Sequence, residues 1–157
     1  MIRSARYSLL PVLTLAVFVA SACGSGSHTA FAAFSKVGAL SVPTPSGFHH
    51  LRSPGEVVIS DGSGRMLPLI QGVLPAYPGR AELAVVRGVS HGPEPAQLKL
   101  PVGLDDLEQA SGGYSRLWGN AFQLGHRTYF LQVWLGRDAP AADRLAILSA
   151  LQAIKLG

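Results

Sequence analysis

The sequence predicts an α+β fold, in which a mainly antiparallel β-sheet carries a C-terminal amphipathic helix packed on it. Two runs rich in β-forming residues, 114–124 and 128–135, are separated by Gly125 and His126. A two-residue loop with glycine first fits a type II′ hairpin turn, because glycine accepts a positive φ angle. A segment with helical spacing of apolar residues follows at 138–155. The hairpin and the helix together indicate a sheet that is covered by a helix.

The second β-rich run is apolar on both of its faces. Successive side chains of a strand point to opposite sides of the sheet. One face would carry Tyr129, Leu131, Val133 and Leu135, and the other Phe130, Gln132 and Trp134. This pattern predicts a central strand with cover on at least part of both faces.

The start of the helix is indicated by three residues. Asp138 can serve as the N-cap, Pro140 suits a first turn, and Asp143 suits the positive end of the helix dipole. The predicted apolar stripe consists of Leu145, Ile147, Leu148, Leu151 and Ile154. We expect this stripe to pack on the adjacent hairpin.

Shorter patterns predict the earlier elements. They are a strand at 37–42 ended by Pro43 and Pro45, a hairpin of 56–60 with an edge strand at 65–70 across a turn at 61–64, a strand at 81–89, and a single helical turn at 104–110. The order of strand, turn, strand and terminal helix resembles the PsbP-like α/β/α sandwiches in order and length alone. No residue is carried over from that resemblance.

The N-terminal segment has the layout of a secretory signal peptide. Arg3 and Arg6 precede the uncharged apolar run 7–22, which ends in small residues. A retained membrane helix is the rival interpretation. Sixteen helical residues reach only about 24 Å, against a hydrocarbon core of roughly 30 Å, and Pro11 interrupts the run. The signal peptide is therefore the favoured interpretation.

Cys23 is the only cysteine of the chain, and small residues precede it. The sequence Ala20-Ser21-Ala22-Cys23 resembles the lipobox of bacterial lipoproteins, although that family usually has leucine where this chain has Ala20. The resemblance implies that the leader is cleaved before Cys23 and that a diacylglyceryl group is joined to its sulfur. The alternative is an ordinary cysteine that is removed with the leader or left as a free thiol.

These features predict a removed signal peptide at 1–22, a lipidated cysteine with a flexible tether at 23–33, and a single globular domain at 34–157. Loss of Arg3 and Arg6 leaves 11 basic and 9 acidic residues, a net charge of +2. The basic residues are scattered and are not interleaved with aromatic residues, which argues against a nucleic-acid partner.

Residues 88–92 match the pattern G-x-S-x-G of a nucleophile elbow, with Ser90 at its centre. Asp105 or Asp106, and then His126, follow in the Ser–Asp–His order of the α/β-hydrolases. The elbow requires a helix directly after the serine, whereas Pro93 follows here. A turn at the end of a strand is the favoured interpretation, and a hydrolase remains the alternative.

The sequence predicts no metal site and no cofactor. Its histidines are His28, His49, His50, His91 and His126, and they form no H-x-x-x-H pair. His49 and His50 would point to opposite sides of a strand.

The main functional hypothesis is a lipid-anchored domain on the extracytoplasmic side of a cell membrane that binds a partner protein or a small molecule. The alternatives are a small serine hydrolase that uses Ser90 and a purely structural envelope protein.

Overall fold

A computed structural model describes residues 29–62, 79–88, 94–112 and 115–157, which form ten strands and one α-helix. The strands are β1 (Phe31–Val37), β2 (Leu40–Pro45), β3 (His49–Ser53), β4 (Glu56–Ser60), β5 (Ala81–Gly88), β6 (Ala96–Gln97), β7 (Glu108–Gly112), β8 (Ser115–Leu124), β9 (Arg127–Gly136) and β10 (Lys155–Leu156); the helix is α1 (Ala141–Gln152). The predicted α+β class is confirmed.

Seven of the strands form one twisted sheet. Its order is β3-β4-β5-β9-β8, and each of these neighbours is antiparallel. The outer edge of β8 is shared, because β7 pairs with the beginning of the strand and β6 with its end. The β6 pairing is the parallel one. The long central strands β5 and β9 therefore have a neighbour on both sides.

The hairpin of β8 and β9 turns at the predicted position. Leu124 pairs with Arg127, so Gly125 and His126 are the two loop residues. Gly125 has a φ angle of +60°. Every described residue with a positive φ is a glycine, so the φ angle of His126 is negative. Positive φ at the first loop residue alone is the type II′ geometry.

Strand β9 is covered on one face along its length and on the other face in part. Tyr129, Leu131 and Val133 are fully buried in the main core. On the opposite face, Trp134 is buried while Phe130 is exposed. The predicted central strand with partial cover on its second face is confirmed.

A second, three-stranded sheet has the order β1-β2-β10. The single strand predicted at 37–42 is wrong, because the chain reverses at Gly38 and Ala39 and Val37 pairs with Leu40. Gly38 has the same φ angle of +60° as the glycine of the other hairpin. Because apolar residues lie on both sides of this tight turn, the sequence pattern predicted one strand in place of a hairpin.

The folded domain begins before the predicted boundary at residue 34. Strand β1 starts at Phe31, so residues 31–33 belong to the sheet and not to a tether. The hydroxyls of Thr29 and Ser149 lie 3.2 Å apart and form a hydrogen bond, which fastens the chain to α1 just before β1. The ring of Phe31 packs edge-on against Phe34, with 6.0 Å between the centroids.

Strand β4 has β3 as its hairpin partner, whereas the prediction gave it the segment 65–70. Ser53 pairs with Glu56 across a turn of Pro54 and Gly55, whose φ angle is +85°. The other edge of β4 is occupied by β5. The segment 65–70 lies outside the described residues. The strand predicted at 81–89 is confirmed as β5 to within one residue.

The helical turn predicted at 104–110 is only partly correct. A 3₁₀ turn spans Leu104–Asp106, and the chain then continues as strand β7. The carboxylate of Asp106 accepts a hydrogen bond from the backbone N–H of Gly103 at 2.7 Å, which closes this turn at its start.

Helix α1 begins later than the predicted cap implies. The residue before its first turn is Pro140, and Asp138 does not cap the helix. The Asp138 carboxylate instead accepts a hydrogen bond from Nε of Arg137 at 3.3 Å. Asp143 lies in the first turn, as predicted. Arg144 donates to the carbonyl of Ala139 at 2.9 Å and so connects the helix to the preceding loop.

The apolar stripe of α1 is correct except at its edge. Ile147, Leu151 and the following Ile154 are buried, but Leu145 is 60% exposed and Ala150 is buried in its place. The helix packs mainly over β2 and β5, whereas the prediction placed it on the hairpin of β8 and β9. The small sheet and the helix thus cover the same face of the large sheet, and the main core lies between them.

The corrected stripe gives a stability prediction. Ile147→Val removes one methylene from a fully buried position, and we expect it to lower the free energy of unfolding by about 1 kcal/mol. Leu145→Ala removes three carbons from an exposed position and is expected to change it by less than about 0.5 kcal/mol. Urea denaturation measures both variants. A larger loss for Leu145→Ala would contradict the orientation of the helix.

None of the helical segments in the described part of the chain has the length and apolarity that a bilayer crossing requires.

Candidate functional site

Four of the candidate site residues lie outside the described residues. They are Cys23, the predicted lipidation site, Ser90, the candidate nucleophile, and the histidines His28 and His91.

The two remaining members of the candidate triad lie apart. Asp105 is exposed in the 3₁₀ turn, which contacts the middle of β8 through a 3.4 Å hydrogen bond from the Asn120 amide to the carbonyl of Asp106. His126 is exposed in the turn after β8. Four further residues of strand, roughly 13 Å, separate Asn120 from that turn. The arrangement does not place the Asp105 carboxylate where it could orient the His126 ring.

The histidines of β3 occupy adjacent strand positions and so point to opposite faces, as predicted. His49 pairs with Ser60, His50 pairs with Ile59, and both histidines are exposed. The ring of His49 lies directly over Gly62. Within the described ranges, no group of three or more histidine, cysteine or acidic side chains could hold a metal ion.

One cross-strand row contains the residue types of a catalytic triad. His49 on β3 pairs with Ser60 on β4, and Ser60 pairs with Glu82 on β5. Ser60 is fully buried, however, and its hydroxyl accepts a hydrogen bond from the N–H of Gly62 at 3.3 Å. A nucleophile must meet its substrate, so this buried serine serves the turn that follows β4 and not catalysis.

Glu82 of this row belongs to a buried ion pair at the beginning of β5. Nη1 of Arg80 is 3.4 Å from Oε2 of Glu82, and both side chains are almost completely shielded from solvent. The carbonyl of Arg80 accepts a hydrogen bond from Gly136 at the end of β9. The Asp61 carboxylate accepts one from the N–H of Ala81 at 3.0 Å. The ion pair and Asp61 therefore connect the ends of β4, β5 and β9, and this role is structural.

The start of α1 lies close enough to Asp61 to be affected electrostatically. Burial raises the pKa of Asp143, and the negative charge of Asp61 raises this pKa further. The ionised form of Asp143 is thus less favoured in the folded chain than in the unfolded chain. Its contribution to stability is present below the ordinary carboxyl pKa and is lost as the pH rises through the raised value.

Exposed apolar side chains mark the surfaces that a partner could contact. In the described part of the chain, the large ones are Phe34, Leu51, Phe130, Leu145 and Leu156. Leu51 is 50% exposed on β3, which is the last strand on its side of the sheet among the described residues. An edge strand with exposed side chains can accept an extended segment of another protein.

No protein-family model matches the chain, and no curated protein matches it.

Proposed function

We propose that the chain is an extracytoplasmic lipoprotein, held at a cell membrane by a lipid on Cys23, whose α+β domain binds a partner protein or a small molecule. The observation that carries the proposal is the uncharged run 7–22, which ends in small residues immediately before the only cysteine. Because a lone cysteine cannot form an intramolecular disulfide, lipidation gives it a chemical role in an exported protein.

The position of the folded domain fits an anchor at Cys23. Strand β1 begins at Phe31, eight residues later. At about 3.6 Å per extended residue, the connection spans at most about 29 Å. An anchored chain would thus hold its domain within one bilayer thickness of the membrane surface.

The chemistry of the anchor also fits a stable attachment. Each buried CH₂ of an acyl chain contributes about 0.8 kcal/mol, so that one chain binds marginally and two hold the protein firmly. A diacylglyceryl group supplies two chains on one sulfur. No membrane-spanning helix is then needed for permanent attachment.

Lipidation is tested by substituting the anchor residue. We expect Cys23→Ser to abolish incorporation of a labelled fatty acid, because a hydroxyl does not replace the thiolate in forming the thioether. The matched control combines Cys23→Ser with Ser25→Cys, which returns one thiol two residues later. Because the family's motif requires the cysteine directly after the small residues, this variant should also remain unlabelled. Labelling that persists in Cys23→Ser would contradict the proposal.

The binding role is favoured over catalysis by the positions of Asp105 and His126, which the fold keeps apart. The exposed side chains of β3 offer an edge to which an extended partner segment could add. A structural envelope protein would have the same anchor, and capture of a specific partner by the lipidated chain distinguishes the two roles.

The hydrolase alternative makes a separate prediction. A serine nucleophile is indispensable to covalent ester hydrolysis, so Ser90→Ala would remove any esterase activity of the chain. We expect the activity of Ser90→Ala on short-chain esters to equal that of the parent chain, at background level. A loss of measurable activity in this variant would favour the hydrolase.

A further inference from the structure

The outward side of the three-stranded sheet combines an aromatic ring with two lysines. On β1, Phe34 and Lys36 are exposed, whereas the alternating Ser35 and Val37 are buried. The side chain of Phe34 is 49% exposed. About half of this large apolar residue is thus accessible to solvent.

The second lysine comes from the other edge of the same sheet. Lys36 pairs with Ser41 on β2, and Ser41 pairs with Lys155 on β10, so both lysines share one row and one face. Nζ of Lys155 lies 4.6 Å from the centroid of the Phe34 ring, within the range of a cation–π interaction. We call Phe34, Lys36 and Lys155 the phenylalanine–lysine surface.

The strands that build this surface contribute basic side chains and no acidic ones. The sequences of β1, β2 and β10 contain no acidic residue. The first acidic residue of the entire chain is Glu56, and the last is Asp143. No acidic side chain of this sheet therefore offsets the two lysines, and their positive charge complements an anionic surface.

The surface also lies on the part of the fold that the proposed anchor holds closest to the membrane. Phe34 belongs to the first strand after Cys23, and the ring of Phe31 packs against it. A tether of a few residues gives the surface a high effective concentration at the bilayer. Lysines beside an apolar aromatic side chain favour the interface between lipid headgroups and water.

We propose that the phenylalanine–lysine surface lies against the headgroups of an anionic bilayer, so that the lipidated domain docks on the membrane in one orientation. This inference rests on the lipid anchor of the proposed function. The occupant is a lipid surface, because the anchor delivers this face to a bilayer and the lysines match anionic headgroups. Each lysine is expected to shift the docked-to-undocked ratio about fivefold toward docking.

A site-directed spin label tests the orientation in the intact lipidated chain, reconstituted into phosphatidylcholine vesicles with or without phosphatidylglycerol. The label is placed at Ala32→Cys, an exposed position of β1. The matched control is Gln97→Cys, exposed on β6. Strand β1 contacts β5, and β6 lies three strands away from β5 in the large sheet, which is roughly 14 Å. The native Cys23 sulfur is a thioether in this chain and does not react with the label.

We expect the label at position 32 to be shielded from a water-soluble nickel reagent in phosphatidylglycerol vesicles, and the label at position 97 to remain accessible. Exchanging both lysines, Lys36→Gln with Lys155→Gln, should lower the docked-to-undocked ratio about 25-fold.

Three results would overturn the inference while the anchor stands. The first is equal accessibility of the two labels on vesicle-bound protein, and the second is docking that is unchanged by the loss of both lysines. The third is shielding that occurs in native membranes but not in pure lipid, because that result would identify a protein as the occupant. A chain that lacks acyl mass and does not stay with the vesicles contradicts the proposed anchor instead.

Discussion

Arg80→Ala is expected to lower the free energy of unfolding by about 3–5 kcal/mol, the largest effect of any single substitution considered for this domain. Arg80 is fully buried, and Nη1 lies 3.4 Å from the Glu82 carboxylate. Alanine would remove both the guanidinium charge and the volume of the side chain. The Glu82 carboxylate would then stay in a site of low polarity without this cation, which is costly. Equilibrium denaturation in urea at neutral pH measures the loss.

The matched control is an exposed ion pair. Arg137 and Asp138 also form a 3.3 Å contact, but both of their side chains are largely exposed. We expect Arg137→Ala to cost less than about 1 kcal/mol, because water and salt screen an exposed pair. Equal losses for Arg137→Ala and Arg80→Ala would contradict the importance of burial.

Two further measurements separate charge from packing at Arg80. Glu82→Gln removes the buried carboxylate charge, so the loss caused by Arg80→Ala should be smaller in the Glu82→Gln background than in the parent chain. The double variant Arg80→Met with Glu82→Gln keeps most of the volume and removes both charges. It should recover a large part of the stability that Arg80→Ala loses, since uncharged groups of similar volume can replace a buried pair. A loss in Arg80→Ala that is equal in the two backgrounds would indicate packing alone.

The parts of this fold that could be predicted from the sequence depend on local patterns. The turn at Gly125 and His126 was predictable because β-rich runs flank a residue that accepts positive φ. The helix was predictable because its apolar residues recur with helical spacing. Its partner strands were not, since a stripe indicates that a face is buried but does not name the surface that buries it. Leu145 was misplaced for the same reason.

The missed hairpins show a different limit. Gly38 and Ala39 form the same two-residue turn as the predicted one, but the residues around them read as one apolar strand. Pro54 and Gly55 separate β3 from β4, but the cluster of glycine, serine and aspartate after β4 is the stronger turn signal by composition. The choice between two candidate turns depends on which strand completes the sheet, and β5 occupies the second edge of β4.

The candidate site illustrates how little chain order constrains proximity. Asp105 and His126 follow Ser90 in the order of a hydrolase triad, yet the sheet places one near the middle of β8 and the other beyond its end. The phenylalanine–lysine surface was not predictable either. It requires Lys36 and Lys155, which are 119 positions apart in the chain, to lie on the two sides of β2. Strand pairing at long range produced the surface.

The second large effect is expected at Gly38, the first residue of the turn between β1 and β2. Its φ angle is +60°, and a Cβ added there would lie 2.4 Å from the hydroxyl oxygen of Tyr129. Gly38→Ala therefore combines the strain of positive φ, about 1–2 kcal/mol, with overpacking against a fully buried ring, about 1–3 kcal/mol. We expect a total loss of about 3 kcal/mol in urea denaturation.

Gly125→Ala separates these two contributions. Gly125 occupies the same position in a two-residue hairpin turn and has the same φ angle of +60°, but a Cβ there would meet nothing within 4 Å. Only the backbone strain of about 1–2 kcal/mol should remain. If the two substitutions cost the same, the contact with Tyr129 has no energetic role.

The hydroxyl of Tyr129 gives the contact a second test, because it also holds the turn in place. It accepts a hydrogen bond from the N–H of Ala39 at 2.9 Å, and we expect its removal in Tyr129→Phe to cost about 1 kcal/mol. Without the hydroxyl, the methyl group of Gly38→Ala no longer meets that oxygen. The double variant should therefore be more stable than the sum of the single losses predicts, by about 1–2 kcal/mol. Additive losses would mean that the turn and the ring do not constrain each other. The β1–β2 hairpin would then depend on its own pairing and not on its contact with the large sheet.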